Sequence, residues 1–497
     1  MTQSHEEGGR QEGSQPSLPL RAQEVARWDR VHDVVIVGHG AAGGAAAIEA
    51  ARAGADTLVI ERMSRGGGAA ALSTGLVYFG GGTAIQKACG FEDSVEDMKA
   101  FVEMAAGRGA DPERIRLYCE NSVEHFEWLR ALGIEYRESY YAKKSTHPLT
   151  DDCLMYTGNE QTWTFAQRAR PVPRGHKPAR EGEAGGYLME MILQATAEAG
   201  AYALNDCRVR CLVQNDEGRI VGIKALLEGK EIFVQARRGV LLAAGGFIAN
   251  KDMLARHAPD LLNCNHDVGT IGDDGRGIRM GMGAGAEAIN MSEGLILSAY
   301  YPPEDHLFGI FVDAHGQRFI NEDAYIGRGG DAMIKKADGI AYLIVDDSIY
   351  DRSQSIFKLA AVEESFEALE RALQMPEGAL VHTLEAYNGF AERGEDPTFR
   401  KQAKWLRALD SPPYAALDCR VGHSVFAGLT LGGLSALATG EALSSDGTIV
   451  PGLYVAGRNA AGLCREGRTY ASGLSIGDAT YFGRLAGRAM AAADALR

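Results

Sequence analysis

The chain reads as an α/β protein in which a mostly parallel sheet is interrupted, over residues 288–419, by an inserted α+β segment. Three observations predict this architecture. A strand, a glycine turn, an alanine-rich helix and a second strand follow one another over residues 33–61. Another apolar strand ending in a glycine pair recurs in mid-chain at 239–247. Glycine-rich texture then returns over 420–497, after a stretch in which glycine is sparser.

Residues 34–37 are consecutively apolar, as expected of a parallel strand buried on both faces. The turn Gly38-His39-Gly40-Ala41-Ala42-Gly43 fits the pattern G-x-G-x-x-G. Gly38 permits the tight turn, Gly40 lets backbone approach a pyrophosphate, and Gly43 lets the helix pack closely on the strand. The helix N-terminus then faces the phosphate charge. The alanine-rich run 41–53 favours helix, and Gly54 ends it. A second apolar strand, 57–60, closes on Glu61, where a carboxylate can accept both ribose hydroxyls. This order defines a Rossmann-like dinucleotide site, which by itself allows NAD or FAD.

Composition narrows the class. A net charge of −15 argues against nucleic acid as a partner, since phosphate binding needs clustered Lys and Arg. The 62 glycines follow no collagen-like period and point to tight turns and close backbone approaches to a ligand. The eight cysteines are scattered; Cys207 and Cys211, on a predicted strand, would share one face. No Cys/His cluster supports a metal, so the thiols read as reduced and mostly buried. Residues 1–27 are polar and read as a disordered tail rather than a signal peptide. No apolar run approaches the ~18 residues that would span a bilayer. The expectation is a cytoplasmic protein without stable membrane insertion.

A second glycine cluster occupies 65–75 and 80–83, with Leu72, Val77 and Tyr78 as anchors. It reads as backbone pressed against a flat cofactor. Helices are predicted over 94–106, over 111–132 with Asp111 and Pro112 at its start and Gly133 at its end, and over 187–199. Residues 139–185 read as irregular. A meander of strands 207–213, 221–227 and 232–236 precedes the buried strand 239–247. Helical segments follow at 251–257 and 277–285. Within 288–419, strands at 309–312, 318–321 and 341–345 alternate with helices at 361–373 and 379–391. This segment is expected to cap a cofactor domain built from 28–287 and 420–497. In the latter, a strand at 448–457 enters a glycine turn, and 471–478 opens a final helix over 479–495. The N-terminus of that helix can stabilise negative charge on a bound ring.

Glu61, Gly66-Gly67-Gly68, Gly245-Gly246, Arg318-Phe319-Ile320-Asn321-Glu322, the run 451–457 and Gly483-Arg484 together resemble the fumarate reductase/succinate dehydrogenase flavoprotein family. The resemblance runs from about residue 30 to the end. It implies FAD extended across the first domain, with a catalytic domain capping the flavin ring. The positions it places at FAD are Gly38, Gly40, Ala41, Ala42, Gly43, Glu61, Arg62, Gly67, Gly68, Ala69, Ser73 and Gly75. From the later segments it adds Gly245, Gly457, Arg458, Gly473, Leu474, Ser475 and Ile476. Some members attach FAD to a histidine near the second glycine cluster. None occurs over 65–82, so binding is expected to be non-covalent.

Members acting on dicarboxylates carry an arginine soon after the Asn-Glu motif and a histidine before a later Gly-Gly. Here Asp323-Ala324-Tyr325 follows Asn321-Glu322, Arg328 is displaced, and 428–433 lacks the histidine. Missing guanidinium groups count against fumarate. Tyr325 together with Tyr470-Ala471-Ser472-Gly473 instead resembles the active site of the 3-ketosteroid dehydrogenase branch, most closely its Δ4-(5α) type. The phrases 80–83, 86–91, Arg174-Gly175-His176 and Gly432-Gly433 resemble that type as well.

Forming a C=C bond beside a ketone removes a proton from the α carbon and a hydride, which flavin N5 accepts, from the next. Ser472 and Tyr325 are the expected proton-abstraction pair, with Tyr470 on or near the ketone. Backbone N–H groups over 473–475 can hold charge developing on the carbonyl oxygen. Tyr300, Tyr301, Phe308 and Phe311 are candidates for an apolar slot and equally for the core. His39 and the cysteines read as structural. Expected partners are a steroid-like small molecule and an electron acceptor that the sequence does not identify. The alternatives are a fumarate-reductase-like enzyme reducing an enoate or dicarboxylate, and a flavin-binding sensor or assembly protein without catalysis.

Overall fold

The opening strand Arg30–Val37 lies inside a sheet, as its unbroken apolar end requires. Residues 34–37 pair in parallel with Thr57–Ile60 on one side and with the end of Lys230–Leu242 on the other. The computed structural model describes residues 13, 15–301, 303–351 and 356–496. Among them this sheet has nine strands. Seven lie side by side: Leu20–Arg21, Cys207–Gln214, Ile220–Leu227, Lys230–Leu242, Arg30–Val37, Thr57–Ile60 and Tyr202–Leu204. Ile449–Val455 joins the end of Lys230–Leu242 in parallel and pairs antiparallel with Glu441–Leu443.

Lys230–Leu242 therefore links the meander to the parallel sheet. The two strands expected at 232–236 and 239–247 are one, with a register shift between Ala236 and Gly239. Gly239 has φ +154°, and a Cβ there would stand 2.8 Å from Gly452 O. A second register shift, between Val209 and Cys211, separates the two cysteines expected on one face. Cys207 is buried and Cys211 half-buried.

The expected disordered tail is ordered over 15–27. Ser17 N donates to Arg279 O at 2.9 Å, and Leu20 and Arg21 pair with Val213 and Gln214. Composition alone misses this because the free edge of Cys207–Gln214 offers backbone partners to a polar segment. Residues 1–12 and 14 of that expectation lie outside the described residues.

The helix expected over 111–132 is two, Pro112–Glu120 and Ser122–Ala131. At the break, the Asn121 side chain donates to Leu117 O at 2.8 Å, which competes with the helical ladder. The helix expected at 361–373 divides into strand Leu359–Glu363 and helix Phe366–Ala372, because Ser365 caps the helix. Residues 318–321 form only a single bridge, Arg318 to Val312.

Strands Ile310–Asp313, Ala341–Asp346, Tyr414–Asp418 and Leu359–Glu363 make a four-stranded antiparallel sheet. A smaller sheet of His266–Asp267, Phe426–Thr430 and Gly294–Ser298 joins residues on both sides of the expected boundaries at 288 and 420. Helix Ala41–Arg52 packs against the final helix, Leu474–Ala492, which starts directly after Gly473. A Cβ on Gly483 would lie 2.5 Å from Ala42 O, and one on Gly487 2.2 Å from Ala46 O. The two helices meet backbone to backbone. Gly487→Val is expected to destabilise the holoprotein by about 1–3 kcal/mol in urea unfolding, the cost of an overpacked contact. Unchanged stability would mean that the helices tolerate separation.

Candidate active site

A cavity of about 920 Å³ runs from the opening glycine turn to strands Gly294–Ser298 and Phe426–Thr430. The three turn glycines do different work. Gly38 has φ +101°, and a Cβ would sit 2.5 Å from Ala243 O. A Cβ on Gly43 would sit 1.9 Å from Gly38 O, so Gly43 closes strand onto helix and does not face the cavity. Gly40 lines the cavity, and a Cβ there would meet nothing within 4 Å. That open space, at the N-terminus of Ala41–Arg52, suits a phosphate. Ala41 and Ala42 also line the cavity.

Glu61, 8% exposed, is held rigidly in the wall. Its Oε2 accepts from His39 N and its Oε1 from Met63 N, each at 2.9 Å. Arg62 lines the wall beside it and pairs with Asp274 at 3.0 Å. Gly68, Ala69 and Ser73 of the second glycine cluster line the cavity, whereas Gly67 and Gly75 shape the loop from behind. Gly67 N donates to His39 O at 2.8 Å and so locks the second cluster onto the first turn. Gly75 has φ +74° and abuts residues 184–185. Burial lowers the His39 imidazole to about 4, so it stays neutral.

The mid-chain pair Gly245-Gly246 is pinned by residues with no local signature in the sequence. A Cβ on Gly245 would stand 2.3 Å from Asp273 Oδ1. Asp273 accepts from Gly246 N at 2.8 Å, Thr270 N at 2.7 Å and Arg458 Nη2 at 2.7 Å. Asn459 Oδ1 accepts from Ala244 N at 2.6 Å, and its Nδ2 donates to Gly245 O at 2.7 Å. The clue available was position alone: both residues lie in the glycine-rich segments. Gly245, Gly457 and Arg458 line the cavity.

Gly473, in the left-handed region at φ +99°, starts the final helix. It lines the cavity with Ser475 and Ile476. Leu474 does not, because its apolar side chain turns into the core while its neighbours face the opening. Tyr325, Tyr470 and Ser472 all line the far end. Tyr325 Oη and Ser472 Oγ are 2.8 Å apart, and either can donate. Tyr470 Oη accepts from Ser475 N at 3.2 Å, and the two tyrosine rings stand 6.4 Å apart. Burial holds the Tyr325 phenol well above its ordinary range; Tyr470 adds to this and the Ser472 bond opposes it. Burial also raises Tyr470, against the pull of Ser475. Both are neutral acids at pH 7.

The wall facing these hydroxyls is aliphatic. Leu295 and Leu297 line it from strand Gly294–Ser298, with Ala299 just past its end, and Ala427 and Leu429 line it from Phe426–Thr430, with Val425 just before its start. Leu295 pairs with Leu429 and Leu297 with Ala427, and the period of two puts alternate residues on one face. Tyr300 and Tyr301, past the end of the strand, do not line the cavity: both are buried, and Tyr300 Oη donates to Ala324 O at 2.7 Å. Phe311 is also core, and Phe308 packs on Trp405 with centroids 5.4 Å apart. Of the two roles open to these four aromatics, slot or core, none lines the cavity and all pack with the core.

A cradle with room for phosphate beside Gly40, an acid fixed in the wall at Glu61 and a chamber of hydroxyls beyond fit the cofactor and chemistry of an FAD-dependent oxidoreductase. The sequence profile of the FAD binding domain family matches residues 33–469, and the chain belongs to that family. The 3-oxo-5-alpha-steroid 4-dehydrogenase of Comamonas testosteroni is 28% identical over 511 residues, spanning 88% of this chain and 95% of its own. The crystal structure of 3-ketosteroid-delta4-(5alpha)-dehydrogenase from Rhodococcus jostii RHA1, in complex with 4-androstene-3,17-dione, superposes with a TM-score of 0.91. It is 42% identical and covers 96% of this chain and 100% of that one. The 3-ketosteroid delta1-dehydrogenase from Sterolibacterium denitrificans shares the fold, with a TM-score of 0.72 and 20% identity over 93% of this chain and 100% of that one.

The cofactor is FAD, and the second glycine cluster contains no histidine that would bond it covalently. Among the described residues no helix is long and apolar enough to cross a membrane. Asp273→Ala is expected to weaken FAD binding roughly tenfold or more, since hydrogen bonds to charged groups contribute about 1.5–3 kcal/mol each. Calorimetric titration of the deflavinated protein measures this. An unchanged Kd would show that Gly245 keeps its turn without the carboxylate.

Proposed function

We propose that the protein dehydrogenates a 3-ketosteroid, introducing a C=C bond next to the 3-ketone, at Δ4 in preference to Δ1. The observation that carries this reading is the Tyr325–Ser472 hydroxyl pair, 2.8 Å apart, facing an aliphatic wall. The similarity to the named steroid dehydrogenases supports the substrate class. The higher identity to the delta4 enzyme supports the regiochemistry.

FAD, when bound, supplies the hydride acceptor. Gly38, Gly40, Ala41 and Ala42 would hold its phosphates against the first helix, and Glu61 its ribose. Gly473, Ser475 and Ile476 would hold the ring end. Tyr470 accepts the Ser475 N–H and keeps its own proton free for the ketone oxygen. That backbone donation makes the hydroxyl a better donor, so it polarises the carbonyl and acidifies the α carbon. The α C–H bond then breaks, and its proton passes to the phenolate oxygen of ionised Tyr325, to which Ser472 Oγ donates, leaving the neutral phenol. The electron pair left on carbon forms the new C=C bond as a hydride leaves the adjacent carbon.

The charge pattern disfavours a dicarboxylate. Arg62, Arg65, Arg208, Arg276 and Arg458 are the arginines that line the cavity among the described residues. Each already faces a carboxylate within 4.0 Å: Asp274 for Arg62, Arg208 and Arg276, Glu190 for Arg65 and Asp273 for Arg458.

Anaerobic mixing of the holoprotein with a 5α-saturated 3-ketosteroid is expected to bleach the flavin absorbance. The reading fails if no saturated 3-ketosteroid does so, and reoxidation of the reduced protein by fumarate would favour the reductase. Because burial holds Tyr325 above the ordinary phenol value of 10.0, the rate of flavin reduction should rise with pH without levelling below that value. The Ser472 bond lowers the Tyr325 phenol, so Ser472→Ala should move the rise to still higher pH. A plateau near neutrality in the wild type would remove Tyr325 as the base.

A further inference from the structure

Tyr325 and Ser472 are 147 positions apart and sit on different loops, each just before a helix. Their hydroxyl contact depends on whatever holds both loops at once. The segment 157–160 does so. Asn159 Oδ1 accepts from Tyr325 N at 3.0 Å. Thr157 O accepts from Ser472 N at 3.0 Å, and Thr157 Oγ1 donates to Ser472 O at 2.9 Å.

The segment is itself fixed. The buried Glu160 carboxylate accepts from Gly158 N at 2.8 Å, Thr157 N at 3.4 Å and Tyr78 Oη at 3.2 Å. Tyr78 N donates to Gly473 O at 3.2 Å, which closes the ring of contacts beside Ser472. There is no slack. A Cβ on Gly158 would stand 2.6 Å from the Ala471 Cβ, and one on Gly175 2.1 Å from Thr157 Cγ2. Burial raises the Glu160 carboxyl, and Arg174 and the backbone donors pull it back. Thr157 and Asn159 are at most 1% exposed and neither lines the cavity.

We propose that Asn159 and Thr157 are positioning residues that set the Tyr325–Ser472 hydroxyl distance without touching substrate or cofactor. The proposal rests on the reading above, that this pair carries the proton step. Proton transfer falls steeply with misplacement, and a shift of about 1 Å can cost roughly a hundredfold in rate.

The test compares holoprotein carrying Asn159→Leu, which keeps size but loses the acceptor, with Asn159→Asp, which keeps the acceptor. Three quantities are read: the rate of flavin reduction by saturating 5α-3-ketosteroid, its isotope effect with α-deuterated steroid, and amide exchange at Tyr325. Asn159→Leu should slow reduction roughly tenfold or more. It should also enlarge the isotope effect, leave steroid Kd unchanged and speed exchange at Tyr325. Asn159→Asp should restore all of these. Wild-type rate and isotope effect in Asn159→Leu would overturn the proposal. If steroid does not bleach the wild-type flavin, the dehydrogenase reading fails, and amide exchange decides the positioning role: unchanged exchange at Tyr325 overturns it. Should Asn159→Leu not fold, Thr157→Val removes the bond to Ser472 O while keeping shape, and is read the same way at Ser472.

Discussion

The architecture depends on how closely four pieces of backbone approach at Ala42. Gly43 lets the first helix touch the turn at Gly38, with a Cβ-to-oxygen distance of 1.9 Å if it carried a side chain. Gly457 leaves room for the Ala42 Cβ at 2.9 Å, and Gly483 for its carbonyl at 2.5 Å. Nothing larger than the Ala42 methyl separates the opening turn, the first helix, the 457 turn and the final helix at this point. The first and last segments of the chain are thus locked together, and the N-termini of helices Ala41–Arg52 and Leu474–Ala492 open on one cavity. Two positive helix ends on one cavity suit an anionic cofactor. The same contact carries Tyr470 and Ser472 into place, since they precede the final helix.

Tyr325 reaches the cavity by a different means. Its segment is anchored by buried charge rather than by close-packed glycine. Arg318 pairs with Glu322 at 2.9 Å and with Asp396 at 3.1 Å, and Lys401 pairs with Glu322 at 3.2 Å. All four side chains are at most 5% exposed. Such a cluster adds little net stability, yet removing one partner costs about 3–5 kcal/mol. What it achieves is direction. Glu322 also accepts from Phe311 N at 3.0 Å, and Asp323 accepts from Asn321, Gln402 N and Gln402 Nε2. Arg318, Asn321 and Glu322 do not line the cavity, whereas Tyr325 of the segment they fix does.

This contrast explains what was legible in the sequence. The opening strand and its turn could be read because their constraint is local: apolar period, glycine spacing and helix start lie within a few residues. The tyrosines and Ser472 became visible through their positions after two motifs that recur in a family. The misreadings share a cause. Deciding between slot and core for Tyr300 and Tyr301 needed the path of the chain just past Gly294–Ser298, which spacing alone does not give. Ordering of 15–27 needed the edge of another strand. Asn159 and Thr157 bond across 166 and 315 positions and sit in a segment without periodicity, so nothing around them announces them.

The electrostatic layout ties the cofactor end to the substrate class. The cavity-lining arginines Arg458, Arg62, Arg208 and Arg276 face Asp273 and Asp274, the last three sharing Asp274. Around Tyr325 and Tyr470 the cavity offers neutral hydroxyls and aliphatic surface. A carboxylate entering that half would lose hydration without a free cation to replace it, and burying an unpaired charge costs several kcal/mol. A neutral ketone needs one good donor, which Tyr470 can give while Ser475 N supports its oxygen. Burial acts on Tyr325 as well: it disfavours the phenolate, so in the proposed reaction only the ionised fraction, which the Ser472 bond favours, takes up the α proton. In the proposed reaction, selection for a neutral ketone and restraint of the base follow from one property, the burial of neutral hydroxyls against an aliphatic wall.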